Sequence, residues 1–226
     1  MSNRRAASSL VVALALLGAA CGHPEQKVVD QYFTALNAKD NQTLTSFAAV
    51  SLDTKGKRVD SWTIVQGTPE QRTPAPLPEL LQKVKEADAA VAENKRKYSA
   101  YFLDHPQEVD ELRDLTKKGA ATPPRLAKTA ADWKGFTDTE RDLKRAVADA
   151  KEAVEREKRL VGLSLGTVDG LEALKGEMAS KTLELLLSVG GEAQPHQMTL
   201  RRYDLAPAQG PAPMNRWIIY ELRPKS

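Results

Sequence analysis

A single cysteine among 226 residues excludes an intrachain disulfide framework. Aromatic residues make up only 5% of the chain. That scarcity, with heavy use of Ala, Glu and Lys, favours exposed helix over a large core. Net charge is nearly lacking as well: the formal balance is +3, and setting aside Arg4 and Arg5 leaves 31 basic against 30 acidic side chains. A near-neutral body is a poor partner for nucleic acid, and none is expected. No apolar run is long enough to span a bilayer as a mature helix. Signatures of known chemistry are missing too. The chain has no H-E-x-x-H, C-x-x-C, P-loop, G-x-G-x-x-G or G-x-S-x-G pattern. The serines stand in no recognisable triad context, and no cluster of His, Cys and carboxylates has metal-ligand spacing. No catalytic residue, metal or cofactor is therefore expected, and the chain reads as a non-enzyme.

The first residues say more. Arg4 and Arg5 are followed by an apolar stretch from Leu10 to Ala20 that closes on Gly18, Ala19, Ala20 and Cys21. A positive start, a short apolar run and small terminal residues form a secretory signal, too short for a transmembrane helix. Leu17-Gly18-Ala19-Ala20-Cys21 resembles the lipobox of bacterial lipoproteins. Gly18 departs from it at the third position before the cysteine, where Leu is commonest. The resemblance implies that residues 1–20 are removed, that Cys21 carries acyl chains, and that residues 21–23 are the lipidated N-terminus. Two or more chains suffice for stable anchoring. Gly22 stands where Asp would favour inner-membrane retention, so the expected location is the bacterial outer membrane, facing the periplasm.

Residues 24–49 carry helical spacing. Pro24 suits a first helical position, and Val28, Val29, Tyr32, Phe33 and Leu36 form a stripe. Asn37–Asn41 breaks it, with Asp40 placed to cap a second helix holding Leu44, Phe47 and Ala48. Ser61–Gln66 reads as a strand. Residues 67–78 hold four prolines and read as a linker. Leu77, Val84, Val91 and Tyr98 then keep a seven-residue beat, with a second beat through Leu80 or Leu81, Ala87, Asn94 and Tyr101. Asp104-His105-Pro106 ends it, and a short helix closes at Gly119. Thr137-Asp138-Thr139-Glu140 has the pattern of a capping box, which predicts a second long helix starting there, through Leu143, Val147, Ala150, Val154 and Val161. An antiparallel, coiled-coil-like hairpin is expected, with Asn94 and Glu157 interrupting its seam and with Trp133 and Phe136 docking it onto the rest of the protein. Ser180–Val189 and Gln197–Leu205 read as paired strands turning through Gly190–Pro195, and Arg216–Arg223 as a third. For Ser164–Ala179 a short strand followed by the start of the Ser180 strand is expected.

Val29-Asp30-Gln31-Tyr32-Phe33-Thr34-Ala35-Leu36-Asn37-Ala38-Lys39-Asp40 resembles the first helix and turn of small NTF2-like lipoproteins. Leu200–Leu205 and Arg216–Ile219 resemble that fold's last two strands. The resemblance implies an α+β fold, a curved antiparallel sheet wrapped on N-terminal helices. Residues 24–66 and 164–226 would form this cone, and residues 67–163 would be a linker and an inserted helical hairpin. NTF2-like enzymes place an Asp or His inside the cone. Here His23, His105 and His196 read as solvent-facing, and Asp30 and Asp40 as structural. Tyr32, Phe33, Trp62, Tyr203 and Trp217 are the candidate ligand-pocket residues, with core packing as their other reading. The expected role is a lipid-anchored binding or scaffolding module, its hairpin meeting an envelope protein. A small-ligand enzyme using the cone, or a purely helical adaptor, are the alternatives.

Overall fold

The computed structural model describes residues 25–166, 169–207, 210 and 212–225. The expected leader, the acylation site at Cys21, His23 and the helix start at Pro24 lie outside the described residues. The fold is α+β. Its helices are α1 (Gln26–Ala38), α2 (Asn41–Phe47), α3 (Leu77–Asp104), α4 (Pro106–Lys117) and α5 (Ala127–Leu165). Its strands are β1 (Val59–Gly67), β2 (Gln71–Pro74), β3 (Lys175–Val189), β4 (Glu192–Ala206) and β5 (Ile218–Pro224). The strands form one open sheet in the order β1-β3-β4-β5, with β2 paired to β3. The chain divides into two units, one of residues up to 71 with 180–201 and 217 onward, the other of 72–179 with 202–216.

In the first unit α1 buries Val29, Tyr32, Phe33 and Ala35, the stripe that its helical spacing predicts. The helix ends in a Schellman turn: Lys39 takes a left-handed conformation, and the amides of Lys39 and Asp40 return to the carbonyls of Leu36 and Ala35. Asp40 then caps α2, accepting from the Thr43 amide at 3.0 Å. Strand β3 alternates, burying Leu183, Leu185, Leu187 and Val189. It pairs antiparallel with β1, placing Trp62 opposite Leu187 and Ile64 opposite Leu185. These side chains join Met198, Leu200, Ile219, Leu44 and Phe47 in one core. Each large apolar side chain buried there contributes roughly 1.5–3 kcal/mol.

Both sheet edges in this unit carry a cover. The side-chain amide of Asn37 bonds the backbone of Val59 twice, at 2.8 and 3.0 Å. On β5, the Ala49 amide donates to the Ile219 carbonyl at 2.8 Å. The turn between β3 and β4 is tighter than the expected Gly190–Pro195. Gly190 and Gly191, with φ of 60° and 84°, close a two-residue hairpin of the kind that matches strand twist. Pro195 and His196 belong to β4. His196 is not solvent-facing: it is 4% exposed, in an inward row with Met198 and Leu200.

In the second unit α3 and α5 pack antiparallel. Rising positions on α3 meet falling positions on α5: Asp88 with Lys151, Asn94 with Phe136, Tyr101 with Asp132. The 28 and 39 residues of these helices give about 42 and 58 Å of length. Helix α4 crosses their far end, burying Val109 and Leu112, and closes with a Schellman turn at Gly119.

The structure departs from the sequence expectations at four places. Residues 67–78 are not all linker, because β2 pairs with β3 and the Ala75 amide bonds the Gly176 carbonyl. The capping-box pattern starts no helix. Thr137 lies inside α5, its hydroxyl bonded to the Lys134 carbonyl, and Asp138 pairs with Lys134 and Arg141. Ala127–Phe136 is helix-competent and packed, so the polar residues become ordinary i, i+3 and i, i+4 partners. Ser164 lies in the last turn of α5 rather than in a separate short strand, while Lys175–Ala179 begins β3, as the expected run into Ser180 has it. Trp133 and Phe136 pack on α3 at the α4 end of the hairpin.

Candidate functional site

Four of the five aromatics singled out by sequence share one core, and Tyr203 lies in the other unit. Tyr32 and Phe33 are fully buried, edge to face at 5.1 Å, and Phe33 stacks on Trp62 at 5.1 Å. The Trp62 indole donates to Asp30 Oδ1 at 2.7 Å, and Gln26 donates to the same oxygen at 2.7 Å. Asp30 thus orients the indole. The Tyr32 hydroxyl donates to the Val50 carbonyl at 3.3 Å and accepts from the Leu52 amide at 2.8 Å. Its burial pushes the phenol up to about 12. Trp217 is half-buried against the same core. Tyr203 belongs to the second unit, where its hydroxyl donates to Glu157 Oε1 at 2.7 Å. Neither of the two concavities described below is lined by any of the five.

A different aromatic group does frame a concavity. Between α3 and α5 lies a groove of about 500 Å³. Val91, Tyr98, Trp133 and Phe136 supply its apolar wall, and Asn94, Lys95, Glu140 and Lys144 its polar rim. Tyr98 meets Trp133 edge to face at 5.2 Å and Phe136 at 6.0 Å. Tyr101 adds a ring 5.4 Å from Phe136. From α4, Arg113 donates to the Tyr98 hydroxyl at 2.8 Å and sets its guanidinium 5.0 Å from the Trp133 ring centre. Asn94, a flaw in the expected seam, donates to the Phe136 carbonyl at 3.4 Å. Lys144 pairs with Glu140 at 2.6 Å.

The groove exists because two helices cannot seal their own seam. From Leu80 to Tyr101 on α3, and from Phe136 to Ala150 on α5, every seam position stays half-buried. The result is a partly covered, largely apolar stripe interrupted by Asn94. The sequence carried a usable signal for it. Tyr98 with Tyr101, and Trp133 with Phe136, are aromatic pairs at i, i+3, one on each arm of a hairpin. The false helix start at Thr137 left the second pair outside the helix that carries it. No described helix is long and apolar enough to cross a membrane. No known protein family, curated protein or solved structure matches the chain.

Proposed function

We propose that this protein is a lipid-anchored lipoprotein of the bacterial envelope that works by binding rather than by catalysis. Its α+β body is an NTF2-like domain, and its helical hairpin is the arm that meets an envelope protein. The aromatic groove between α3 and α5 carries this reading: rings with hydrogen-bonding handles and a polar rim are what a recognition surface uses. The lipobox-like leader supports the anchor, and helices followed by an antiparallel meander support the body.

Palmitate labelling tests the anchor. The wild type takes up label, and Cys21→Ser loses it and moves to the soluble fraction. A photo-crosslinking residue at Ser99, in the groove, tests the arm against one at exposed Glu152. Discrete adducts from Ser99, lost in Trp133→Ala, support the reading. Equal adducts from both positions, or none from Ser99, remove the binding arm.

A further inference from the structure

The first unit holds another concavity, of about 360 Å³, where the end of α1, the start of α2 and the loop before β1 come together. Leu36, Leu44 and Leu52 give it apolar surface, while Lys39, Lys57 and Arg58 bring three cations. Asp53 is the carboxylate in its lining, and its Oδ1 is engaged by the Lys55 amide at 2.8 Å. Among the described residues none of the three cations has an ion-pair partner. The contrast is with the helices, where Lys83 pairs with Glu79, Lys144 with Glu140 and Arg156 with Glu152. In a chain so evenly balanced in charge, three neighbouring unpaired cations make a local excess.

The backbones that carry these cations are fixed. Lys39 is held by the Schellman turn. The Lys57 amide bonds the Thr54 carbonyl at 3.0 Å, closing a turn in which Lys55 and Gly56 both have positive φ. Lys39 and Lys55 are the non-glycine residues of positive φ among the described residues, and both lie in the segments that frame this concavity. The Gly190 amide bonds the Arg58 carbonyl at 3.3 Å. The Lys57 side chain lies along Gly190, where an added Cβ would come within 2.9 Å of its Cδ and 3.6 Å of its Nζ, so its charge sits at the hairpin-turn side of the concavity.

We propose that this concavity binds a small organic anion, a phosphate or carboxylate head on an apolar body. The head would meet Lys39, Lys57 and Arg58, whose planar guanidinium suits two-point contact with such oxygens. The body would lie on Leu36, Leu44 and Leu52. The volume is that of a small-molecule site. Neither the membrane anchor nor the hairpin groove enters the proposal, so it stands or falls separately from them.

Phenyl phosphate, inorganic phosphate and phenol are the probes, titrated calorimetrically into the full-length Cys21→Ser chain, which needs no lipid, with buffer as the blank. Phenyl phosphate should saturate at one per chain and bind at least tenfold more tightly than either fragment. Lys57→Ala with Arg58→Ala, both exposed positions, should weaken it at least tenfold without changing the melting curve. Lys83→Ala, on α3, should bind as the wild type does. Leu52→Asn should erase the advantage of phenyl phosphate over inorganic phosphate. Non-saturating titrations, equal affinity for phenyl phosphate and inorganic phosphate, or unchanged binding in the double variant would overturn the site.

Discussion

Tyr32 lies fully buried with its hydroxyl between a carbonyl it donates to and an amide it accepts from. Unfolded, the phenol ionises near 10; folded, near 12. The native state therefore keeps a proton that the unfolded chain loses between those values. Stability is full below pH 10 and falls as pH rises toward 12, by about 2–3 kcal/mol in all. Urea midpoints from pH 8 to 12 should show this fall in the wild type, and a shallower one in Tyr32→Phe. At neutral pH Tyr32→Phe should itself cost about 1–3 kcal/mol, because the part-buried Leu52 amide loses its acceptor. Identical pH slopes in the two proteins would remove Tyr32 as the cause. The burial of Tyr32 was legible from helical spacing, but its hydrogen bonds were not. They reach Val50 and Leu52 in an irregular loop, and no periodicity marks such partners. Glu157 and His196 failed similarly. A polar residue on an apolar row reads as a flaw until its partner is known, and the partner of Glu157 lies 46 positions away at Tyr203.

At the scale of elements, β3 shows both what alternation reveals and what it leaves out. Leu183, Leu185, Leu187 and Val189 made the strand readable. Its first part, Lys175–Ala179, was harder to read, because Lys175, Gly176 and Glu177 carry no apolar alternation. Lys181 is matched by Glu25, Nζ to Oε1 at 2.6 Å, a pairing across 156 positions. Gly176 has a φ of 150°, and a Cβ there would overlap the carbonyl oxygen of Asp204 on β4. A strand glycine in close contact with a neighbouring backbone is a position that side chains cannot take. Gly176→Ala should destabilise the protein by about 2 kcal/mol or more, through strained backbone and a displaced strand. Gly191→Ala, with open space around its Cβ but a positive φ, should cost less. Denaturant midpoints for the two variants give the comparison, and an equal loss would mean that φ alone, not the close approach, sets the cost. The error in α5 has another physical origin. A capping box is a local pattern, and Thr137–Glu140 satisfies it. The preceding turns are held helical by the packing of Trp133 on Tyr98 and of Thr129 on Glu108, at 2.5 Å between oxygens. Tertiary contacts outweighed the local signal, as they do where propensity is weak.

For the whole molecule, the expected insertion of residues 67–163 suggests a hairpin that can be cut out at its roots, and the buried residues define where such a cut could succeed. Excising Leu77–Val161 would remove Leu77, Val154, Leu160 and Val161, all buried, and would leave Tyr203 without Glu157. Four apolar side chains at roughly 1.5–3 kcal/mol each, with about 1–3 kcal/mol for the orphaned hydroxyl, rival the 5–15 kcal/mol that holds a whole domain. That variant should not fold. Asp88 and Lys151 face one another across the hairpin, 3.9 Å between charges. Beyond them, from Ala89 to Ala150, the α3–α5 seam is only half-buried, and the buried side chains Val109, Leu112, Leu126 and Thr129 belong to the α4 end that would leave with it. Joining Asp88 to Lys151 through a short Gly/Ser bridge should therefore leave a protein that melts cooperatively and keeps its strand signal in circular dichroism. It should still bind phenyl phosphate, whose site lies in the first unit, and it should have lost the aromatic groove. If the shorter excision also unfolds the chain, the outer hairpin stabilises more than its own partly covered seam. It would then be structural mass rather than a displayed arm, and the binding role assigned to it would lose its basis.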